Sequence, residues 1–371
     1  MLILAIGLII FIPLALNMLV NEAANRLTFR ADETPLIIGS RENTTELTLS
    51  ALYFRPPDFT SLNQGFVDSM AAEFDITAIP LYLRHNVEDH PIVGTTPEYF
   101  ELRNLGLSAG RMMALLGECI IGAEAAKELH VKVGESVISS PSGAFDIAGS
   151  FPLKMTITGI LSRTGTSDDN AIFTDIKTAW IISGKAHGHE DVTQMDSTKL
   201  LGSSDSSGVV ASAAVLSYTE ITDANRDSFH FHGDPATFPV DAIIVLPSNR
   251  QESLKLRSRL ESTPSVQAIV PRTIIDGLID TLFSVNNLLI LGGILIGTAA
   301  LAIASLVFML SIKLRKRELI TLRKMGVSPE RIRGLFATEI IIIITGSMLF
   351  CFLLLSGLSL IENNWLEKWM F

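Results

Sequence analysis

A chain of 371 residues has room for about two domains. Hydrophobic residues make up 48 % of it, charged residues only 18 %, and the mean hydropathy is +0.39, which is too apolar for an ordinary soluble enzyme and suits a membrane protein with one sizeable polar domain. The formal net charge of −10 argues against nucleic acid as a partner, and two cysteines, Cys119 in polar and Cys351 in apolar sequence, support neither a disulfide framework nor a cysteine zinc site.

Residues 1–20 form the first predicted span. No charge interrupts Leu2 to Val20, and about 20 apolar residues suffice to cross a bilayer as a helix. A cleaved signal peptide is the rival, but it wants a basic start, and the chain begins Met1-Leu2-Ile3. Residues 21–284 read as mixed α/β. PLIIGS (35–40) is a strand, and residues 61–75 have helical spacing with Phe66, Met70 and Phe74 on one face. ITAIPLYLR and HPIVGTT follow as strands, then a strand-rich middle section with ECIIG, ESVISS, KMTITGILS and NAIFTD. VDAIIVLP (240–247) is a strand, Ser248 with Gln251 forms a capping box, and SVQAIVP returns as a strand. The expected plan has two lobes: an α/β lobe from about 31–103 and 186–284, and an inserted β-rich lobe of about 104–185. Residues 274–285 have helical spacing and run into the second span, a continuity suited to carrying motion.

That second span covers 285–312 and the third 337–361, with Glu339 at the mouth of the third, read as a solvated helix end or a partner for nearby arginines. Between them, residues 313–336 hold eight Lys/Arg (Lys313, Arg315, Lys316, Arg317, Arg323, Lys324, Arg331, Arg333) against two acids. Basic residues beside spans stay on the cytoplasmic side, so this loop places 21–284 and the tail 362–371, with Trp365 and Trp369, outside. Arg26 and Arg30, on the outer side of the first span, run mildly against that rule. Residues 313–325 read as helix, Gly326 as its stop, Ser328 as the next N-cap and Pro329 as the first residue of a second helix. The turn Met325–Ser328 then presents an apolar tip (Met325, Val327) ringed by Arg323, Lys324 and Arg331. An anchor on anionic headgroups of the membrane lipid is the plainer use of the same charges.

Several stretches carry a family resemblance. Ile92-Val93-Gly94-Thr95-Thr96-Pro97-Glu98-Tyr99-Phe100, Leu107-Ser108-Ala109-Gly110-Arg111, Ile120 to Leu129, Val133-Gly134-Glu135, Thr158-Gly159-Ile160-Leu161 and Asp169 to Phe173 resemble the periplasmic domain of MacB-type ABC transporter permeases. Arg317 to Ser328 is similar to the loop before the third span of FtsX-like permeases. The resemblance implies a membrane α-helical protein with a large extracytoplasmic α+β domain, of the type VII, mechanotransmission class, in the inner membrane. It implies a dimeric permease, homo- or heteromeric, bound to a separate cytoplasmic ABC ATPase. That ATPase contacts Arg323, Lys324, Met325, Gly326, Val327, Ser328 and Arg331, and its motion drives export or release of a lipoprotein, peptide or drug, with a periplasmic adaptor or substrate protein as further partner. The alternative within the resemblance is an FtsX-like regulatory anchor that controls a cell-envelope partner and transports nothing. Family members have four spans and a cytoplasmic segment before the first; the chain carries three and starts within a span, the expectation for a piece cut at both ends or a shortened variant.

No Walker A pattern occurs, so no cofactor is expected and ATP belongs to another polypeptide. Two H-x-H pairs, His187/His189 and His230/His232, could supply four imidazoles to a metal, but the pairs are far apart and the expectation is solvated loop. His85 and His90 are expected on surface loops, Ser203–Gly208 as a flexible loop, and Asp168-Asp169 as a polar turn rather than a catalytic carboxylate pair.

Overall fold

The computed structural model describes residues 2–140, 152–188, 219–222, 225–226, 229–231 and 233–370. The chain divides into two compact units, residues 1–28 with 275–370, and residues 29–274.

The first unit is helical. Helix α1 spans Leu2–Asp32, with Pro13 inside it. Among the described residues three helices are long and apolar enough to cross a membrane. Small residues let these helices approach: a Cβ on Gly7 would lie 2.6 Å from the Phe350 ring, and Gly293, Gly297 and Gly346 face Pro13, Ile9 and Ile3. Leu295, Leu306, Met348 and Phe352 are among the side chains left exposed, as lipid-facing positions are.

The second unit begins with β1 (Leu36–Ser40) and α2 (Thr44–Tyr53). Asn43 caps α2 by accepting from the Glu46 N–H at 3.0 Å. Strand β2 (Leu62–Asn63) leads into α3 (Gln64–Glu73), capped by the Asn63 side chain. Then come β3 (Ile76–Val87), β4 (His90–Thr95), the short α4 (Glu98–Leu102), β5 (Leu107–Gly110), β6 (Glu118–Ile121), α5 (Ala123–Glu128) and β7 (Ser136–Ile138). Strand β8 (Leu153–Leu161), a 3-10 turn at Ser167–Asn170, β9 (Ile172–Asp175), α6 (Ile176–Ile182) and β10 (Ala186–Gly188) follow. The unit closes with β11 (Thr219–Glu220), β12 (Phe229–Phe231), β13 (Pro239–Val240), β14 (Ala242–Pro247), α7 (Arg250–Glu261) and β15 (Val266–Ile269).

One mixed sheet runs through the unit in the order β11-β8-β6-β9-β4-β3-β14-β1-β15, with β5 and β7 also paired to β8. Strands β4 and β9 join in parallel, Ile92 opposite Ile172. Two apolar clusters flank this join. One gathers Leu36, Ile38, Met70, Trp180, Ile243 and Leu256 from β1, α3, α6, β14 and α7; the other gathers Ile92, Cys119, Ile121, Ile157, Ile172 and Ile181. The two expected lobes thus share one sheet, and α6 contributes to both cores. The central strands are apolar without alternation, since helices and loops cover both faces: all five residues of β1 are buried. Helix α2 lies so close to β1 that a Cβ on Gly39 would meet Leu47 at 2.3 Å.

Local details depart from the sequence reading. Helix α7 is capped by Asn249, which accepts from the Glu252 N–H at 3.0 Å, one residue later than the Ser248–Gln251 box; both frames hold a capping residue type, and the strand ending at Pro247 decides between them. His85 and His90 are not surface loop residues: they sit on β3 and β4 and are 8 % and 6 % exposed. His85 Nε2 lies 2.7 Å from Ser183 Oγ, and its ring stands edge-on to Tyr82. Burial, helped by the charge of Arg84, lowers its pKa from 6.5 to about 4. A base held neutral by folding contributes stability that is complete above 6.5 and lost as pH falls toward about 4, because the unfolded chain takes up the proton first. Lowering the pH from 7 to 5 therefore costs the domain about 2 kcal/mol through this residue. His85→Gln should flatten that part of the pH dependence in urea unfolding of the full chain. An unchanged slope between pH 5 and 6.5 would assign it to another group.

Candidate functional site

The basic loop has a defined geometry. Helix α8 runs without interruption from Pro271 to Leu314, α9 from Lys316 to Lys324 and α10 from Pro329 to Met370. The single helix expected over 313–325 breaks at Arg315, whose ψ of 6° leaves the helical range. Glu339 is not merely a solvated helix end, since its carboxylate lies 3.7 Å from Arg315 beside that break.

At the far end of α9 the stop is a full Schellman motif. The Val327 N–H donates to Leu322 O at 3.1 Å and the Gly326 N–H to Arg323 O at 3.0 Å, with Gly326 at φ 89°. Glycine takes that backbone conformation at no steric cost. Ser328 then begins α10, its carbonyl accepting from Arg331 N at 3.1 Å, with Pro329 in the first helical position. The turn presents Arg323, Lys324, Met325, Gly326, Ser328 and Arg331 to solvent, with Met325 67 % exposed; Val327 is half-buried, so the apolar tip is Met325 alone.

A second constellation escaped the sequence reading. Arg30, in the last turn of α1, is 3 % exposed. Its guanidinium donates to Asp168 Oδ2 at 2.6 Å, to Asp168 Oδ1 at 3.0 Å and to Tyr99 Oη at 2.6 Å, while its Nε–H donates to the Leu52 carbonyl. Leu52 lies in the last turn of α2, where a carbonyl has no helical partner and attracts a cation. Tyr99 in turn donates to Asp168 Oδ1 at 2.7 Å, and the Phe54 ring lies 5.2 Å from the guanidinium. Arg103 approaches from the other side, donating to Thr34 Oγ1 at 2.7 Å and lying 3.5 Å from Glu33.

Burial would raise the Asp168 pKa, but the charge and hydrogen bonds of Arg30 outweigh it and hold the carboxyl below the usual range. Burial pushes the Tyr99 phenol up, keeping it a donor. Asp168 and Asp169 thus form a buried turn, 1 % and 2 % exposed, and not a solvated one. Asp169 turns away and accepts from Thr164 N and Gly165 N at 2.9 and 2.7 Å. The one sequence signal for this centre was Arg30 itself, a cation on the wrong side of a span by the charge rule and so one in need of a local partner.

The histidine pairs are only partly within the described residues. His187 and His230 stand opposite each other across β10 and β12, while His189, His232 and the serine run 203–207 lie outside them. Among the described residues no group of three or more His, Cys, Asp or Glu could hold a metal. Cys119 and Cys351 are both free and buried.

The family model of the MacB-like periplasmic core domain matches residues 1–200, more than half of the chain. No curated protein matches it. Among solved structures, the periplasmic region of MacB from Actinobacillus actinomycetemcomitans is similar at 10 % identity over 68 % of this chain and 97 % of that one, with a TM-score of 0.39. The extracellular domain of the ABC-type transporter YknZ from Gram-positive bacteria matches at 10 % identity over 63 % of this chain and 98 % of that one, with a TM-score of 0.34. The family match joined to three membrane-capable helices leads to one statement: the chain belongs to the MacB-like periplasmic core domain family, as a permease-type multi-pass membrane protein with its α/β domain outside the membrane.

Proposed function

We propose that the chain is the membrane subunit of an ABC transporter that works by mechanical transmission. A separate cytoplasmic ATPase binds ATP and moves; the permease, as a dimer, carries that motion to the outer domain, which releases or exports a lipoprotein, peptide or drug. The observation that carries this reading is the basic turn between α9 and α10. An exposed methionine on a rigid Schellman turn, rimmed by Arg323, Lys324 and Arg331, offers a small apolar knob with a cationic border. Such a knob suits a groove with an acidic rim on a partner protein, because the charges steer the encounter and the desolvated apolar centre holds it.

The test is co-purification from the native host in mild detergent, read by mass spectrometry. The wild-type chain should bring down an ATPase subunit. Gly326→Asp and Met325→Asp should lose it by about tenfold or more, the cost of roughly 1.4 kcal/mol at an interface centre. Met325→Asp leaves the Gly326 backbone untouched, so loss in both variants separates lost contact from a distorted turn. Wild-type-level recovery in both would assign the charges to lipid headgroups. No ATPase with any form would favour a headgroup anchor on a truncated or regulatory relative that works without ATP.

A further inference from the structure

Arg30, Ala31 and Thr34 are the residues at the end of α1 that the domain buries, while Phe29 is 55 % exposed and the Asp32 side chain 53 %. Ala31 is the one buried apolar side chain of the turn Phe29–Asp32, so apolar grip there is small. The rest is the directional set around Arg30, which has donors committed to Leu52, Asp168 and Tyr99. Apolar packing tolerates sliding; a planar guanidinium held at several angles does not. Advancing the helix by one residue turns it by about 100° and would withdraw the fork altogether.

A second tie lies on the exposed side. Arg272 Nη1 is 2.6 Å from both carboxylate oxygens of Asp32, joining the last turn of α1 to the first turn of α8. Neither charge suits its own helix end. A carboxylate at a C-terminus and a guanidinium at an N-terminus both oppose the helix dipole, and the ion pair between them offsets part of that cost.

We propose that Arg30, Asp168, Tyr99, Asp32 and Arg272 form an interlock that fixes the rotation of both helix ends in the outer domain. A twist or displacement of α1 passes through Asp168 into the turn that leads to β9, and so into the sheet, instead of being lost by slippage. The purpose of the interlock rests on the mechanical reading above; its geometry does not.

Hydrogen exchange of the full chain in lipid nanodiscs, followed peptide by peptide, tests it. Arg30→Lys keeps the charge and loses the fork; Asp168→Asn keeps the shape and loses the charge. Both should speed exchange over residues 28–34 by about tenfold or more, Tyr99→Phe by less, and Arg272→Gln should act on 271–276; β3 and β14 stay unchanged in Arg30→Lys, Tyr99→Phe and Arg272→Gln, whereas Asp168→Asn raises them too through its loss of global stability. Wild-type exchange over 28–34 in Arg30→Lys and Tyr99→Phe, which preserve the core whatever becomes of Asp168→Asn, would overturn the interlock. So would an equal rise in β3 and β14 in Arg30→Lys or Tyr99→Phe, which would make the cluster ordinary core support. The readout needs no ATPase: failure of co-purification would leave the interlock standing without its driver, and unchanged exchange beside a bound ATPase would remove the interlock alone.

Discussion

Asp168→Ala should lower the stability of the outer domain by about 3–5 kcal/mol, the range for removing one partner of a buried ion pair. The size follows from what is left behind. Arg30 is 3 % exposed, and the carboxylate that it grips is itself 1 % exposed. Without it the Arg30 guanidinium remains buried beside Phe54 and Tyr99 with its counter-charge gone, while Arg103 keeps Glu33 at 3.5 Å. Burial lowers the pKa of Arg103, and the charge of Arg30 adds to the effect. Asp168→Asn should cost nearly as much, because it is the charge that is missing. Replacing the pair by Arg30→Met with Asp168→Leu should recover most of the loss, since a buried pair contributes little beyond its apolar counterpart. Urea unfolding in mild detergent measures this through Trp180, the one tryptophan of the domain, buried with its Nε1–H on Pro239 O at 2.8 Å. If Asp168→Ala costs under 1 kcal/mol, the cations are reached by solvent and the buried centre is wrong. Acid should act as the substitution does. The Asp168 carboxyl is held below its usual 3.8, so its contribution is complete above that value and vanishes as pH falls through the lower, folded value.

The difference between what could be read in advance and what could not lies in sequence distance. Strands β1, β3, β4, β8 and β14 were legible because runs such as Leu36-Ile37-Ile38 and Ile243-Ile244-Val245 permit little else. The turn at Gly326 was legible because helix stop, N-cap and Pro329 lie within four residues of one another. Where two frames competed within one residue, as at Ser248 and Asn249, local pattern had no means to choose. Arg30 and Asp168 are 138 residues apart, and nothing beside either announces the other. The reading of His85 and His90 as surface loop residues also failed: the pairing of Tyr82, His85 and Val87 with β4 draws the strand inward. The glycines of the family-like stretches were recognisable as landmarks, but only the packing says what each one is for.

Gly122 makes that point testable. It precedes α5 with an unremarkable backbone, φ −64° and ψ 156°, so conformational freedom is not why a glycine stands there. Space is. A Cβ would lie 2.2 Å from Asp169 O and 2.3 Å from Asp168 O, both backbone atoms, while the Gly122 N–H donates to Ala171 O at 2.9 Å and pins the same turn. Gly122→Ala must push the Ser167–Asn170 turn away, at a cost of about 3 kcal/mol, the upper part of the range for overpacking. The displacement also pulls Asp168 from Arg30, so the effect should not be independent of the ion pair. In a double-mutant cycle with Asp168→Asn, the two losses should sum to at least about 1 kcal/mol more than the double variant shows. Gly134→Ala is the contrast. Its φ of 91° strains any side chain, but nothing lies within 4 Å, so only the backbone term of about 1 kcal/mol applies, with full additivity. Additive behaviour at Gly122 as well would mean that the turn moves without disturbing Asp168, and that the close approach of α5 serves packing alone.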